Sequence, residues 1–338
     1  MLCFHYKYIL KGIQFGDMMN DKIKQIYKIL VNSKYRFKVL SEKGFYKSMD
    51  DETFLRKKYI AIEGKELDLN NPKTLNEKLQ WLKLNDRKDI YTKLVDKYEV
   101  KKIIAKILGK EYIIPTIAVW DSPEKIVVDD LPDKFVLKCT HNSAGKLCVC
   151  TDKNVFDLEK ARRILQKQLD ENYYYTNREW PYKNVKPRII CEQYMENRNK
   201  TPLVDYKFYC YGGSPEYFMV SYGEADHHVR NHKFNMELKS IDYLFKENPT
   251  VNLKDIVLPS NMNEMIQIVE RLCKPFQHIR VDLFNIDGKI YFGELTFFSG
   301  AGFINIKSKD YSQKLADKIC LEKVECDTSV QADKIFDI

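Results

Sequence analysis

The sequence has no C-x-x-C pair and no apolar run near the ~18–20 residues of a membrane span. Glycine and proline are scarce, 13 and 11 in 338 residues, which excludes collagen-like and low-complexity chains. Arginine is scarcer still for so basic a protein: 11 of the 56 Lys and Arg. A surface built to grip nucleic-acid phosphates normally uses the planar arginine fork. The net charge of +8 therefore reads as a solvated, lysine-rich surface, with no nucleic-acid partner expected; an anionic substrate or an anionic membrane surface remains compatible with it. The segment Met1–Leu10 is interrupted by Lys7 and lacks a small-residue cleavage site, so no signal peptide is expected, and Met18 or Met19 offers an alternative start.

What is present suits a folded chain of one large or two ordinary domains: 44% hydrophobic, 13% aromatic and 31% charged residues. The nine cysteines are odd in number and sit mostly inside apolar runs such as Phe135–Cys139, as expected of reduced, buried thiols in a cytoplasmic protein. Cys148 and Cys150 share a strand face, but two thiolates make a poor metal site. His227, His228 and His232 cluster without a helix to carry them, and a polar loop is the simpler reading than zinc.

The texture changes near residue 110. Before it, the pattern is helical: Asp21–Leu30 has apolar residues at Ile23, Ile26, Ile29 and Leu30, and Thr74-Leu-Asn-Glu77 has the capping-box form opening a helix with Leu75, Leu79, Trp81 and Leu82. A further helix is expected from Asp89 to Leu108, ended by Gly109. After Tyr112 come short β-rich runs: Phe135–Cys139, Leu147–Cys150, Arg188–Tyr194, Asp205–Tyr211, Tyr217–Tyr222, Ile279–Asn285 and Ile290–Phe297. Helices at about Asp157–Glu171 and Asn261–Phe276 interrupt them, and Tyr173–Tyr175 reads as a helix end on a sheet. Asn285-Ile-Asp-Gly288 predicts a tight turn that makes the last two strands an antiparallel hairpin. The fold class is α+β.

Familiar nucleotide and hydrolase motifs fail. Gly145-Lys146 lacks the rest of a P-loop, no G-x-G-x-x-G occurs, and Phe297 stands where a G-x-S-x-G elbow before Ser299 needs glycine. The last hairpin is more informative. Arg280 and Asp282 share one face of their strand, and Glu294 and Thr296 one face of the partner, so Asp282 and Glu294 become near neighbours. Two carboxylates ~4 Å apart repel by ~4 kcal/mol at an effective dielectric near 20. A cation, a shared proton or an arginine explains such a pair; the rival is an Arg280–Asp282 salt bridge on a solvated face. Upstream, Lys138 ends an apolar strand before the small-residue turn Ser143-Ala-Gly145, a place for phosphate; Glu192-Gln-Tyr194 ends another strand; Asp205-Tyr-Lys207 opens a third with a charged pair.

In this order, from about Thr74 to Ile306, these residues resemble the ATP-grasp superfamily, nearest its TupA-like branch of amide ligases from surface-polysaccharide clusters. The resemblance includes Pro72–Lys78, Asp96-Lys97, Phe135–Lys138, Glu179-Trp180 with Tyr182, Glu192, Asp205–Lys207 and Gly293–Thr296. It implies two α+β subdomains with antiparallel sheets clasping ATP (residues 111–190 and 191–325), after a helical region 1–110 and before a tail 326–338. By position, Lys138 would contact the α- and β-phosphates, and the loop from His141 to Lys146, with Ser143 and Gly145, would close over them. Glu192 and the backbone at Tyr194 would hold adenine, with Asp205 and Lys207 near ribose and phosphates. Asp282 and Glu294 would hold Mg2+, with Thr296 a weaker third ligand where many relatives have Asn, so that a second ion is in doubt. Arg280, with Lys207, would act on the transferred phosphoryl group.

The implied activity is ATP-dependent joining of a carboxylate to an amine through an acyl-phosphate, an amino acid and a sugar acid or glycan precursor being the expected substrates. Peripheral contact with membrane-bound glycan machinery is expected too. The alternatives are a glycosyltransferase, against which Asp68-Leu-Asn70 makes a poor D-x-D metal motif, a kinase of the same fold acting on a sugar hydroxyl, and a non-catalytic binding module. Arg178, Glu179, Trp180, His227, His228 and Arg230 fall in expected loops on the acceptor side.

Overall fold

The computed structural model describes residues 21–143, 147–222 and 230–325. They divide into two compact units, one running to Leu67 and taking in Tyr175–Asn177, the other holding the rest.

The first unit is helical: α1 Asp21–Val31, α2 Ser33–Glu42 and α3 Asp51–Glu63. Its helix ends are built from short polar side chains. Asn32 accepts from the Tyr35 amide at 3.0 Å, and Asp50 from the Thr53 amide at 2.9 Å. Gly64, left-handed at φ 77°, ends α3. Phe37 packs on Tyr46, with ring centres 4.5 Å apart, and on Phe54. Lys58 is buried here and donates to Ser41 Oγ at 2.6 Å. Burial, partly offset by Glu42, lowers its ammonium pKa to about 8.

The second unit opens with α4 Leu75–Asn85. Its capping box forms as the sequence predicts: Glu77 Oε2 accepts from the Thr74 amide at 2.9 Å while Thr74 Oγ1 accepts from the Glu77 amide. The single helix expected from Asp89 to Leu108 is instead two, α5 Asp89–Val95 and α6 Glu99–Leu108. Asp96 makes the break: its Oδ1 accepts from the Tyr98 and Glu99 amides, a cap side chain where the periodicity showed only continuation.

Two antiparallel sheets follow. The first has β1 Thr116–Trp120, β2 Phe135–Cys139, β3 Cys148–Cys150 and β4 Ile189–Gln193 in the order β1-β4-β2-β3. Helix α7 Leu158–Leu169 covers it, and between them lies a core of Phe135, Leu137, Leu165 and Ile189 with four thiols. Burial pushes Cys139 and Cys191 up to about 12, so these thiols behave as small apolar groups. All seven described cysteines are free, and no group of three or more His, Cys, Asp or Glu side chains that could hold a metal ion occurs among the described residues.

The second sheet has β5 Val204–Tyr211, β6 Ser214–Tyr222, β7 Arg230–Asn235, β8 His278–Ile286 and β9 Lys289–Thr296, in the order β7-β6-β5-β8-β9. Helix α8 Met262–Cys273 buries Met265, Val269 and Leu272; α9 Lys309–Lys318 follows β9. The expected strands and the helices α7 and α8 fall within a few residues of their predicted places. Two strands were not predicted. β1, Thr-Ile-Ala-Val-Trp, is a short edge strand with no fully buried residue, and β7, Arg-Asn-His-Lys-Phe-Asn, is an edge strand whose polarity hides its period.

The expected tight turn is a two-residue one. Asp287 and Gly288 are both left-handed, φ 51° and 84°, as a hairpin matching the strand twist requires. Their register would face Asp282 with Gly293. A bulge intervenes: Leu283 pairs with Phe292 but Asp282 with Glu294, leaving Gly293 as the extra residue. A Cβ at Gly293 would sit 3.0 Å from the Asp282 carbonyl oxygen and 3.2 Å from the Phe284 ring.

Candidate active site

A cavity of about 800 Å3 lies within the second unit, lined by residues of both sheets and of α7. The first-sheet side is organised on Glu192. Alternate residues of β2 and β4 share a face, which sets Lys138 diagonally beside Glu192. Lys138 Nζ lies 2.5 Å from Glu192 Oε2. The other oxygen, Oε1, is paired with Lys101 of α6, which also donates to the Ile114 carbonyl at 2.8 Å and to Thr116 Oγ1 at 3.1 Å. Glu192 is buried, which by itself raises a carboxyl pKa, but Lys138 and Lys101 outweigh burial and hold it below the ordinary range. For Lys101 burial wins over its attraction to Glu192, with Lys138 adding repulsion, so its pKa is lowered.

The second-sheet side is a row of charge running across three strands. Lys207 of β5 pairs with Asp282 of β8, and Asp282 with Glu294 of β9, so all three project from one face. Lys207 Nζ contacts Asp205 and lies 3.2 Å from Asp282 Oδ2. Arg280 grips Asp282 with two nitrogens, Nε to Oδ1 and Nη2 to Oδ2, both at 2.6 Å, and the same Nη2 reaches Glu294 Oε1 at 2.7 Å. The Arg280–Asp282 salt bridge does form, yet not on a solvated face: Asp282 is 2% exposed. Burial tends to raise the Glu294 pKa, but Lys97, Arg280 and Lys207 prevail and bring it to about 2.

Lys97 joins the two sides. Standing between α5 and α6, it donates to the Asn142 carbonyl at 2.8 Å and to Glu294 Oε2 at 3.3 Å. Its place is fixed by neighbours: its amide donates to the Thr140 carbonyl, and the adjoining Asp96 receives Arg188 Nη2 at 2.6 Å, whose Nη1 reaches Glu99 at 2.9 Å. Lys97, Lys101 and Arg188 are absent from the site residues expected from the sequence. Asp96-Lys97 was visible only as part of a resemblance, and Lys101 had no local signal among so many lysines.

Of the expected residues, Lys138, Ser143, Glu192, Asp205, Lys207, Asp282 and Glu294 line the cavity together. Arg280 and Thr296 stand behind Asp282 and Glu294, Thr296 spending its hydroxyl on Glu294 Oε1 at 3.1 Å. Tyr194 follows the end of β4, stacked with Lys134, and does not line the cavity. Gly145, His227 and His228 lie outside the described residues, as does the Arg230 side chain. Arg178 and Glu179, expected in loops, do lie outside regular structure, and both are 1% exposed. The third histidine of the suspected cluster, His232, sits in β7 with Nε2 3.0 Å from Asp242 and 2.9 Å from Ser240; one nitrogen serves both partners, so this is not a Ser-His-Asp relay.

The donor set suits one kind of cation. Asp282 and Glu294 supply carboxylate oxygens, and among the described residues no third His, Cys, Asp or Glu joins them in a closed cage. That fits a hard ion such as Mg2+, which keeps water and takes phosphate oxygens. Lysines around the cavity supply charge for a polyanion, and Leu147, Phe156, Ile164, Phe284 and Phe292 give it apolar walls suited to a planar ring.

The sequence matches the TupA-like ATPgrasp family over residues 77–320. No curated protein matches it. Among solved structures it is similar to D-alanine–D-alanine ligase from Bacillus anthracis (15% identity, 71% of this chain and 69% of that one, TM-score 0.37) and from Helicobacter pylori (14%, 75% and 69%, 0.40). It is also similar to the ATP-grasp ligase PsnB complexed with minimal precursor, Mg and ADP (12%, 74% and 66%, 0.37). The family match spans well over half of the chain, in the stretch that builds both sheets and the cavity between them: this protein is a member of the TupA-like ATP-grasp family.

Proposed function

We propose that this protein is an ATP- and Mg2+-dependent carboxylate–amine ligase, joining an amino acid to a sugar acid or glycan precursor. The observation that carries the reading is the Lys207–Asp282–Glu294 row, clamped by Arg280 and facing Lys138 within one cavity. A carboxylate is a poor electrophile at neutral pH. Attack of its oxygen on the γ-phosphorus releases ADP and forms an acyl-phosphate; an amine then adds to the acyl carbon, and phosphate leaves as the amine gives up a proton. Such transfer needs positioning and charge neutralisation more than a protein nucleophile.

In this reading Lys138 holds the α- and β-phosphates, with Glu192 fixing its direction, and Ser143 lines the cavity beside them. Glu192 marks the adenine end of the cavity, and Asp205 and Lys207 serve the ribose and phosphates. Asp282 and Glu294 would hold Mg2+, which when bound would neutralise phosphate oxygens. Thr296, already committed to Glu294, contributes little to a second ion. Arg280, behind these two carboxylates, acts on the transferred group through them by fixing their positions. A cytoplasmic enzyme working beside membrane-bound glycan machinery is part of the same reading; no helix among the described residues is long and apolar enough to cross a membrane.

The test is a screen of ATP-to-ADP conversion over amino acids paired with uronic acids, with products weighed by mass spectrometry. An amide product with free phosphate supports the ligase. Phosphate retained on a sugar hydroxyl would make it a kinase, and no ATP consumption with any pair would count against catalysis of this class.

A further inference from the structure

Helix α1 presents its apolar residues outward. Ile23, Ile26, Tyr27 and Leu30 recur at helical spacing, so they form one stripe, with Val31 beside it. These five residues are between 52 and 69% exposed, and Phe45 in the same unit is 69% exposed. Periodicity of this kind normally marks the side of a helix that enters a core. Here the helical unit has its own core around Phe37, Phe54 and Tyr59, and this stripe is not in it.

The charge of the same segment is as lopsided as its exposure. Residues 21–49 contain eight Lys and Arg against two acids, a net of +6 in a chain whose total is +8. The remainder of the protein is therefore close to neutral, and the basic character seen in its composition belongs mainly to this segment. Lys28, Lys34, Arg36 and Lys38 are all exposed.

We infer that the α1–α2 face docks onto an anionic lipid bilayer. An exposed apolar stripe flanked by lysines is the composition of a helix lying in the membrane interface: the stripe enters the headgroup boundary while the cations meet lipid phosphates. Tyr27 and Phe45 add aromatic rings of the kind favoured at that depth. A second copy of the chain would set +6 against +6. A nucleic acid would leave the aliphatic stripe in water, and the segment offers it a single arginine. Only a surface both anionic and apolar beneath satisfies both features. This inference does not depend on the ligase reading.

The experiment is co-sedimentation of the full-length protein with vesicles of phosphatidylcholine alone, or mixed with phosphatidylglycerol, at low and high salt. At low salt, binding to the mixed vesicles is expected to be at least about tenfold tighter than to the neutral ones, and to weaken as salt is raised. The double variants Ile26→Ser/Leu30→Ser and Lys28→Glu/Lys34→Glu should each weaken it about tenfold or more, with ATP affinity by calorimetry unchanged. Equal binding to both vesicles, no binding, or full binding by the serine variant would overturn the inference. So would a dimer, formed without vesicles and abolished by Ile26→Ser/Leu30→Ser, that fails to bind them.

Discussion

Asp282 and Glu294 face each other across a hairpin because one residue, Gly293, is left out of the pairing. The two-residue turn at Asp287-Gly288 alone would set Asp282 against Gly293 and Glu294 against Val281, on the apolar face. The bulge moves Glu294 to the face of Asp282, where Arg280 Nη2 bonds both. The candidate metal site thus depends on a local irregularity in which a side chain at position 293 would be crowded by Asp282 and Phe284.

Gly293→Ala should therefore harm the site more than the fold. Its Cβ would press on the Asp282 carbonyl and the Phe284 ring. We expect about 1–2 kcal/mol of destabilisation by chemical denaturation. ATP turnover should fall by at least about tenfold, ~1.4 kcal/mol in the barrier. Unchanged turnover would show that the register of β9 does not matter to the chemistry.

Glu294→Gln keeps the shape and removes the charge. ATP turnover should fall at least about a hundredfold, ~2.7 kcal/mol in the barrier, while far-UV circular dichroism stays as in the parent protein. The pH profile of stability offers a second check. Lys97, Arg280 and Lys207 depress the Glu294 pKa to about 2, so its stabilisation is complete above the ordinary unfolded carboxyl pKa and is lost as pH falls through about 2. The variant should lack this component of acid destabilisation.

Glu192 holds two buried or half-buried ammonium groups apart. Glu192→Gln should cost about 3–5 kcal/mol, because Lys101 and Lys138 are left facing each other without a counter-charge. Adding Lys101→Met should restore part of that loss, and the double-mutant cycle in urea measures the coupling. Additive effects would mean that the three residues do not act as a unit.

Lys58 gives a pH signature in the helical unit. Its pKa is about 8 folded and near its ordinary value of 10.5 unfolded. Between these values the unfolded chain binds more protons, so stability rises with pH over that window, by up to about 3 kcal/mol. Lys58→Met should raise stability at pH 7 and flatten the rise; a parent protein with no gain from pH 8 to 10 would contradict the burial of this ammonium.

Much of this was legible beforehand, and for identifiable reasons. The capping box at Thr74 and the Asp-Gly turn are local chemistry, fixed by residues within one turn of each other. The β-rich runs were found because their apolar residues stand close together. The failures share a cause as well. The cap at Asp96 splits a helix whose periodicity runs on, and β7 is too polar to read as a strand. The exposed stripe of α1 looks from its spacing like a core face.

The amino-acid sequence by itself determined the family, the fold class and which strands carry Lys138, Glu192, Asp282 and Glu294, since these rest on order and short-range pattern. Tertiary structure alone decided their partners. Lys97 lies 197 residues from Glu294, and Lys101 lies far from Glu192 in the chain. Which of the 45 lysines meets a carboxylate is a matter of where helices and sheets pack, because a long aliphatic stem has the same local signature whether its ammonium ends in water or in a site.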